Sequence, residues 1–251
     1  MKYLILAIFL ALITASCDRL VPNNGKAKKT NSTKQEKIYN GKRKNYLDGK
    51  LTSIVTYKDS LKNGEAINYY PDGSVNIIFN YKDNKKHGDF KWFYENGKLY
   101  EDGTYRNGKK HGVFKRYSKT GKLSSEMPWF NGLPCKGLKE YNDNGQLKAI
   151  PKIIVKHKNT IKLDNTYTIE FSLSNNRKNV KFYEGYLGEN NSFNKHFMAL
   201  DGSNGKGILE YYVNPGTYIM KTITIIAEIK TKDNNFYIIT KDVNIAAENR
   251  F

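Results

Sequence analysis

The sequence predicts an all-β protein, in which an extended antiparallel meander of 24-residue hairpin repeats is followed by a β-sandwich of the immunoglobulin or fibronectin type. Three observations predict it: glycines recur every 24 residues, Asn-Gly and Asp-Gly dipeptides separate aromatic stretches, and the C-terminal third alternates apolar and polar residues. No apolar stripe with a period of 3.6 residues is present. We divide the chain into a signal peptide (1–16), a tether (17–38), a repeat domain (39–149) and a sandwich domain (150–251).

The N-terminus has the pattern of an exported protein. Lys2 precedes an apolar run at residues 3–13, which is too short to cross a bilayer as a helix but typical of a signal-peptide core. The following Thr14-Ala15-Ser16-Cys17 resembles a bacterial lipobox, although the pattern prefers Leu where Thr14 stands. The resemblance implies that Cys17 becomes the lipid-modified N-terminus. Ordinary secretory cleavage near the same place is the alternative.

The segment after Cys17 is polar, contains no aromatic residue and is rich in Lys, Asn, Ser and Thr. This composition buries no core and is typical of a flexible tether. We therefore expect a bacterial cell-envelope protein that is held to a membrane by the lipid on Cys17. The sequence does not distinguish the inner from the outer membrane.

The basic composition raises the question of an anionic partner. The chain has 42 Lys and Arg against 24 Asp and Glu, a formal net charge of +18. Only six of the basic residues are Arg, the residue whose planar fork binds phosphate bidentately. A nucleic-acid partner is therefore disfavoured. A solvated lysine surface and a surface that binds an anionic envelope polymer both remain open.

The repeat is defined by several residue types that hold one register. The first series is glycine, and an aliphatic residue follows each glycine by two positions: Gly49, Gly73, Gly97, Gly121 and Gly145, with Leu51, Val75, Leu99, Leu123 and Leu147. Two aromatic series keep the same interval: Tyr69, Phe93, Tyr117 and Tyr141, and Tyr57, Tyr81, Tyr105 and Trp129. This is the signature of a repeat array.

Each repeat is predicted to form a short antiparallel hairpin. We expect type I′ turns, which demand positive φ, at the dipeptides Asp48-Gly49, Asp72-Gly73, Asn96-Gly97 and Asn144-Gly145. A lone hairpin is barely stable in water, so neighbouring copies must cover one another's edges. The two aromatic series should form two ladders, which serve either as the thin core of the array or as a platform for a ligand.

The repeat residues also resemble a known family. Gly103-Thr-Tyr105-Arg-Asn-Gly108-Lys-Lys-His111-Gly112 is similar to the G-x-[WY]-x-x-G-x-x-H-G core of MORN repeats. The form is similar to the bacterial MORN-repeat variant of YwqK-type antitoxin-component-like proteins, over about residues 39–148. The resemblance implies an extended antiparallel sheet and a role in lipid association or protein binding.

No catalytic, metal or cofactor site is predicted. The sequence contains no nucleophile elbow, P-loop or HExxH motif, and no Cys/His spacing for a metal. His87 and His111 hold one repeat position and are interpreted as turn residues. Cys135 is left without an intramolecular partner if Cys17 carries lipid, and is interpreted as structural.

The C-terminal third loses the 24-residue register after Leu147. Six β-rich runs follow, separated by clusters of Asn and Gly, and we expect about seven strands; in one run Tyr167, Ile169, Phe171 and Leu173 alternate with polar residues. Period-two alternation with one buried face predicts a sandwich, a domain type that usually serves adhesion or spacing.

These observations together predict a non-catalytic, lipid-anchored binding or scaffold protein that presents its repeat sheet to a macromolecule, most simply a protein. The alternatives are an antitoxin component, on the resemblance alone, and a basic surface that binds an anionic envelope polymer. The candidate binding residues are the eight rings of the two ladders.

Overall fold

The computed structural model describes residues 37–194 and 196–250. The predicted signal peptide, Cys17 and almost the whole predicted tether lie outside these residues. Within them, no helix has the length and apolar character needed to cross a bilayer. The described chain confirms the all-β class and the hairpin meander, and two further sheets follow the meander.

The repeats form one ten-stranded antiparallel sheet in which the first eight strands pair in chain order. Its strands are β1 (Gly41–Leu47), β2 (Lys50–Lys58), β3 (Leu61–Tyr69), β4 (Val75–Lys82), β5 (Lys85–Phe93), β6 (Leu99–Arg106), β7 (Lys109–Tyr117), β8 (Leu123–Phe130), β9 (Leu133–Pro134) and β10 (Lys139–Glu140). Both β9 and β10 pair with β8. A 24-residue repeat therefore contributes two strands, and each hairpin covers the edge of the one before it.

The hairpin turns are of two kinds. In the first kind both central residues have positive φ, as a type I′ turn requires: Asp48-Gly49, Asp59-Ser60, Asp83-Asn84, Asn107-Gly108 and Asn131-Gly132. In the second kind only a glycine has positive φ: Gly73, Gly97, Gly121 and Gly145. The predicted type I′ turn is therefore confirmed at Asp48-Gly49 and is wrong at the dipeptides that end in Gly73, Gly97 and Gly145.

The physical reason is the length of the second kind of loop. The N–H of Gly73 donates to the carbonyl of Tyr70 at 2.9 Å, and the N–H of Tyr70 donates to that of Ser74 at 2.8 Å. Asp72 thus sits third in a β-turn whose second residue is Pro71, and Gly73 closes the loop at φ +87°. The carboxylate of Asp72 accepts from the N–H of Ser74 at 2.9 Å.

The C-terminal region folds into two three-stranded antiparallel sheets. One sheet has the order β11-β12-β14 and the other β13-β15-β16. The bounds are β11 (Ile153–Thr160), β12 (Thr166–Leu173), β13 (Val180–Glu184), β14 (Gly207–Tyr212), β15 (Tyr218–Lys230) and β16 (Phe236–Glu248), with a one-turn helix α1 (Ile161–Asp164) and a 3₁₀ turn at Glu189–Asn191. The described residues thus form six strands here, one in each of the six β-rich runs, whereas about seven were expected.

The two C-terminal sheets face each other across one apolar core. The predicted alternation of β12 is confirmed, since Tyr167, Ile169, Phe171 and Leu173 are all buried. Ile225 and Ile229 of β15 belong to the same cluster, as do Val243 and Ile245 of β16. The inner faces of both sheets therefore supply the core, as in a β-sandwich.

The C-terminal sheets also pack against the last strands of the repeat sheet. Met127 of β8 and the buried Leu138 belong to the sandwich core cluster. The N–H of Phe193 donates to the carbonyl of Pro134 at 2.8 Å, and that of Lys136 donates to Asn191 at 3.0 Å. One compact unit therefore begins at Ile38 and includes both regions.

The unfolding free energy is expected to fall above pH 10, partly because of a buried tyrosine in the sandwich. The hydroxyl of Tyr183 donates to the carboxylate of Glu228 at 2.9 Å. Burial raises the pKa of Tyr183, and the hydrogen bond to that carboxylate raises it further. The folded state thus keeps a proton that the unfolded chain loses near pH 10. The stabilisation is complete below that pH and is lost as the pH rises toward the folded-state pKa. Between pH 9 and 11 in urea titrations, the unfolding free energy of Tyr183→Phe should therefore fall by about 1.4 kcal/mol less than that of the wild type; an equal fall contradicts this.

Candidate binding face of the repeat sheet

One face of the repeat sheet collects the second aromatic series together with rings that the sequence analysis did not single out. We call it the ring face, and it carries Tyr57, Phe79, Tyr81, Phe90, Tyr105, Phe114 and Trp129. Equivalent members of a series lie two strands apart, ~10 Å at the usual strand spacing, so members are joined only where a further ring bridges them. Phe79 does this for Tyr81 and Tyr105, with ring centroids 6.2 Å from each.

The innermost residues of this face form a series of their own. Ala66, Phe90, Phe114 and Leu138 follow one another at 24 residues and are all buried, Phe114 to 1% exposure. The regular interval was visible in the sequence. The aromatic pattern near the turn glycines does not reveal it, because Ala66, Phe90 and Phe114 lie in mid-strand and Leu138 directly precedes β10.

Gly103 makes room for this inner series. It pairs with Phe90 across β5 and β6, and a Cβ atom on Gly103 would lie only 2.6 Å from the Phe114 ring. The most buried ring of the repeat sheet thus packs directly against the backbone of β6. The same repeat position holds Val55, Phe79 and Met127 in the other copies.

A lysine stands over the rings in each of three repeats. The members lie 24 residues apart, and each ammonium is near the ring 19 residues further on: Lys62 over Tyr81 (5.4 Å), Lys86 over Tyr105 (5.2 Å) and Lys110 over Trp129 (5.1 Å). Such distances to the ring centroid are those of cation–π pairs. At the first end of the sheet the guanidinium of Arg43 lies 5.2 Å from the Tyr57 ring.

Two of these lysines are partly desolvated. Burial lowers the pKa of Lys86, and the neighbouring ammonium of Lys110 lowers it further. Burial also lowers the pKa of Lys110, and it outweighs the opposite effect of Glu101, whose carboxylate lies 3.3 Å away. The ring face thus holds cations in a partly apolar setting, where an acidic group of a partner would be favoured.

The first aromatic series lies on the opposite face. The hydroxyl of Tyr117 interacts with Asp102, and that of Tyr141 lies 2.6 Å from Glu126. Asp102 and Glu126 both pair with Lys115 in the sheet, and their positions alternate with those of the ring face. Their side chains therefore lie on the other face. Across their hairpins, these aromatic residues pair with the aliphatic series: Tyr69 with Val75, Phe93 with Leu99, Tyr117 with Leu123 and Tyr141 with Leu147.

All eight predicted ladder residues are therefore half-buried, but on two different faces. In the described residues no ring contact joins one member of the first series to another. Phe79 and Phe114 join Tyr81, Tyr105 and Trp129 of the second series, whereas the ring contact of Tyr57 is with Tyr39. The first series is paired with aliphatic residues within each hairpin.

The sandwich covers only one end of the ring face. Trp129 packs against the sandwich core, and a small cavity between the two regions is lined by Lys110, Phe114 and Phe236 among others. Arg116 reaches the sandwich directly, donating to the carbonyl of Asp233 at 2.8 Å. The remaining part, which we call the open ring face, carries Arg43, Tyr57, Lys62, Phe79, Tyr81, Lys86 and Tyr105.

The residues considered for other chemistry lie apart from the open ring face. Among described residues, no group of three His, Cys, Asp or Glu is placed to hold a metal ion. Cys135 is buried, and burial raises the pKa of its thiol, which disfavours the reactive thiolate. His87 and His111 occupy equivalent strand positions rather than turns, each with a buried Nδ1 that has no hydrogen-bond partner in the described chain. The interpretation of these two histidines as turn residues is therefore wrong.

Comparison with known proteins agrees with this geometry for the repeats. Three consecutive stretches, residues 62–83, 86–107 and 110–131, match the family model described as MORN repeat variant. Each stretch begins at, or next to, a ring-face lysine and spans one strand pair of the sheet. No curated protein matches the chain.

Proposed function

We propose that the protein is a non-catalytic binding or scaffold protein, anchored in the bacterial cell envelope by a lipid on Cys17, which presents the open ring face to a protein partner. The match to a MORN repeat model supports a repeat-based binding or scaffold role. The N-terminal sequence pattern supports the anchor, because an apolar run that is too short for a membrane span ends at a lipobox-like Cys17.

The observation that carries the binding role is the repetition of lysine–aromatic pairs on a face that the sandwich leaves open. The pairs around Lys62 and Lys86 are half-buried, and their spacing follows the sheet at ~10 Å per repeat. Aromatic rings supply large contact area at low entropic cost, and the ammonium groups add preference for acidic side chains. A long, regular surface of this kind suits recognition of another macromolecule.

A photo-crosslinking experiment tests the binding face. A photoreactive phenylalanine analogue is placed in the full chain at Tyr57 or Tyr81 on the open ring face, and at Tyr69 or Phe93 of the same repeats on the opposite face. In intact cells we expect the first two positions, and not the other two, to give a discrete crosslinked species. Crosslinks from the opposite face alone, or from no position, would contradict the proposal.

An anionic envelope polymer is the second candidate partner, and the lysine series favours it. The two partners differ in their response to salt. Binding to a polyanion releases counterions, so its affinity falls steeply as the salt concentration rises. If the yield of the crosslinked species falls steeply when the salt present during irradiation is raised from about 50 to 200 mM, the partner is the polymer. A yield that persists identifies a protein.

The anchor is tested through Cys17. In cells labelled with radioactive palmitate, the wild-type chain should carry label and sediment with membranes, because two or more acyl chains hold a protein stably on a bilayer. Cys17→Ala should lose the label and leave the membrane fraction, whereas the matched control Cys135→Ala should keep both. An unlabelled wild-type chain in the cytoplasm would overturn the envelope assignment and favour the antitoxin alternative.

A further inference from the structure

The sandwich has an open groove on the side away from β11 and β16. Its volume is about 900 Å³, and it runs between the edge of β14 and the edge of β15, with Leu209 and Ile223 among its lining residues. β13 pairs with residues 225–229 of β15 only, while β16 pairs with β15 along its whole length. The first half of β15 is therefore a strand edge that faces the groove.

The backbone groups of this edge point into open space. Gly185 donates to the carbonyl of Thr224 at 3.0 Å on the β13 side. In an antiparallel strand, alternate residues direct N–H and C=O to the same side, so those of Thr222 and Met220 also point to the groove. Among the described residues, no backbone hydrogen bond reaches Met220 or Thr222 from that side.

The chain itself shows that extended backbone fits this side of the sandwich. Ala199 forms a β-bridge with Tyr183 of β13, and Asp201 forms one with Ile208 of β14. Between them the N–H of Leu200 donates to the carbonyl of Phe182 at 2.8 Å. This short internal segment bridges the edges of both sheets, and beyond it the two edges continue without a partner strand.

The lining determines which chain suits the groove. Three carboxylates, those of Glu184, Asp201 and Glu210, line it in a chain that is otherwise strongly basic. The lysine of the lining, Lys221, has its ammonium 4.5 Å from the Tyr211 ring. Its rim is apolar and exposed at Tyr186 and Met198, which expose 71% and 89% of their surface.

We propose that this groove binds an extended segment of a partner protein, in which apolar residues alternate with lysine or arginine, as an added strand on β15. The backbone of the segment pairs with Met220 and Thr222. Its apolar side chains contact the inner lining and the exposed rim, and its cations meet the three carboxylates. Strand addition of this kind takes affinity from the main chain and specificity from alternate side chains. The site is separate from the open ring face and does not depend on it.

The probe for this site is a seven-residue peptide of alternating valine and lysine, acetylated and amidated at its ends, with a valine–glutamate peptide as control. NMR of the purified full chain should show slower amide hydrogen exchange at Met220 and Thr222 when the lysine peptide is added. The glutamate peptide should bind at least tenfold more weakly. Equal binding of the two peptides, or binding without protection of these amides, overturns the proposal.

Variants separate backbone pairing from side-chain contact. Thr222→Pro removes the edge N–H without touching the β16 ladder and should weaken lysine-peptide binding at least tenfold, whereas Thr222→Val should not. Glu210→Lys should also weaken it, and this variant decides the matter if Thr222→Pro does not fold. If the two amides are protected without peptide, the groove is already occupied and the proposal fails. If that protection depends on protein concentration, the occupant of the groove is a second copy of the chain. If the protection is lost when residues 18–36 are deleted, the occupant is the chain's own basic N-terminal segment.

Discussion

Replacing Phe114 with alanine is expected to lower the free energy of unfolding by about 3–5 kcal/mol, the usual cost of removing a fully buried phenylalanine. The ring is 1% exposed and is surrounded by other rings, with centroids 6.0 Å from Phe90, 5.6 Å from Tyr105 and 6.4 Å from Trp129. The ammonium of Lys110 also lies 4.1 Å from its centroid. Urea unfolding, followed by circular dichroism, measures the loss.

A neighbouring residue provides the control. Val113 belongs to the same strand but is 47% exposed, so Val113→Ala should change the unfolding free energy by about 0.5 kcal/mol or less. A loss below about 1 kcal/mol for Phe114→Ala would contradict a role for this ring in the core.

Gly103 provides a second test of this prediction, because a side chain at position 103 would occupy the space of the Phe114 ring. In the wild-type chain, Gly103→Ala should be destabilising, since the new Cβ atom would meet the Phe114 ring at 2.6 Å. In the Phe114→Ala background the same change fills part of the cavity and should be neutral or stabilising. A reversal of sign in this double-mutant cycle is expected from direct packing. Additive effects would contradict it.

Replacing Arg116 with methionine is expected to cost about 3 kcal/mol, at the lower end of the cost of breaking a buried ion pair because Arg116 is partly exposed. Its Nε lies 3.2 Å from the carboxylate of Glu101, which is 5% exposed. Its terminal nitrogen donates to the side chain of Asn235 at 3.0 Å, and Asn235 donates to the buried Glu140 at 2.9 Å. Without Arg116, acceptors from both the repeat sheet and the sandwich lose a donor.

The buried carboxylate of Glu101, which remains after the substitution, explains the size of the expected loss in unfolding free energy. A second substitution tests this explanation. In Arg116→Met, Glu101 stays buried with Lys110 as its only ion-pair partner in the described chain. In a Glu101→Gln background, Arg116→Met should cost less than in the wild-type chain, because a neutral amide depends less on the guanidinium than a buried carboxylate does. An equal cost in the two backgrounds would contradict this explanation.

An exposed ion pair is the matched control for Arg116. The Nε of Arg250 lies 2.8 Å from the carboxylate of Glu248, closer than the Nε of Arg116 lies to Glu101, but both side chains of the exposed pair are more than half exposed. Arg250→Met should therefore cost less than about 1 kcal/mol. Thermal unfolding of the Arg116 variant should also show whether the repeat sheet and the sandwich still unfold together.

The repeat register carried most of the information about the first half of the fold. Hairpin strands, their order in the sheet and the half-buried state of both aromatic series follow from a 24-residue interval, because residues with the same local pattern form the same local structure. The turn type did not follow from the dipeptides alone. Asp48-Gly49 forms a type I′ turn while Asp72-Gly73 does not, because Pro71 and the bond between Gly73 and Tyr70 define a longer loop.

By itself, the sequence determined the strand class, the repeat interval and the alternation of β12, since these depend on turn chemistry and on the period of apolar residues. Only the tertiary structure decided which face of the repeat sheet is covered, which rings share a face, and where the sandwich leaves a strand edge open. The reason is that both faces of a repeat sheet show the same interval. They are distinguished by contacts between residues far apart in the chain, such as Arg116 with Asn235, and no local pattern encodes those contacts.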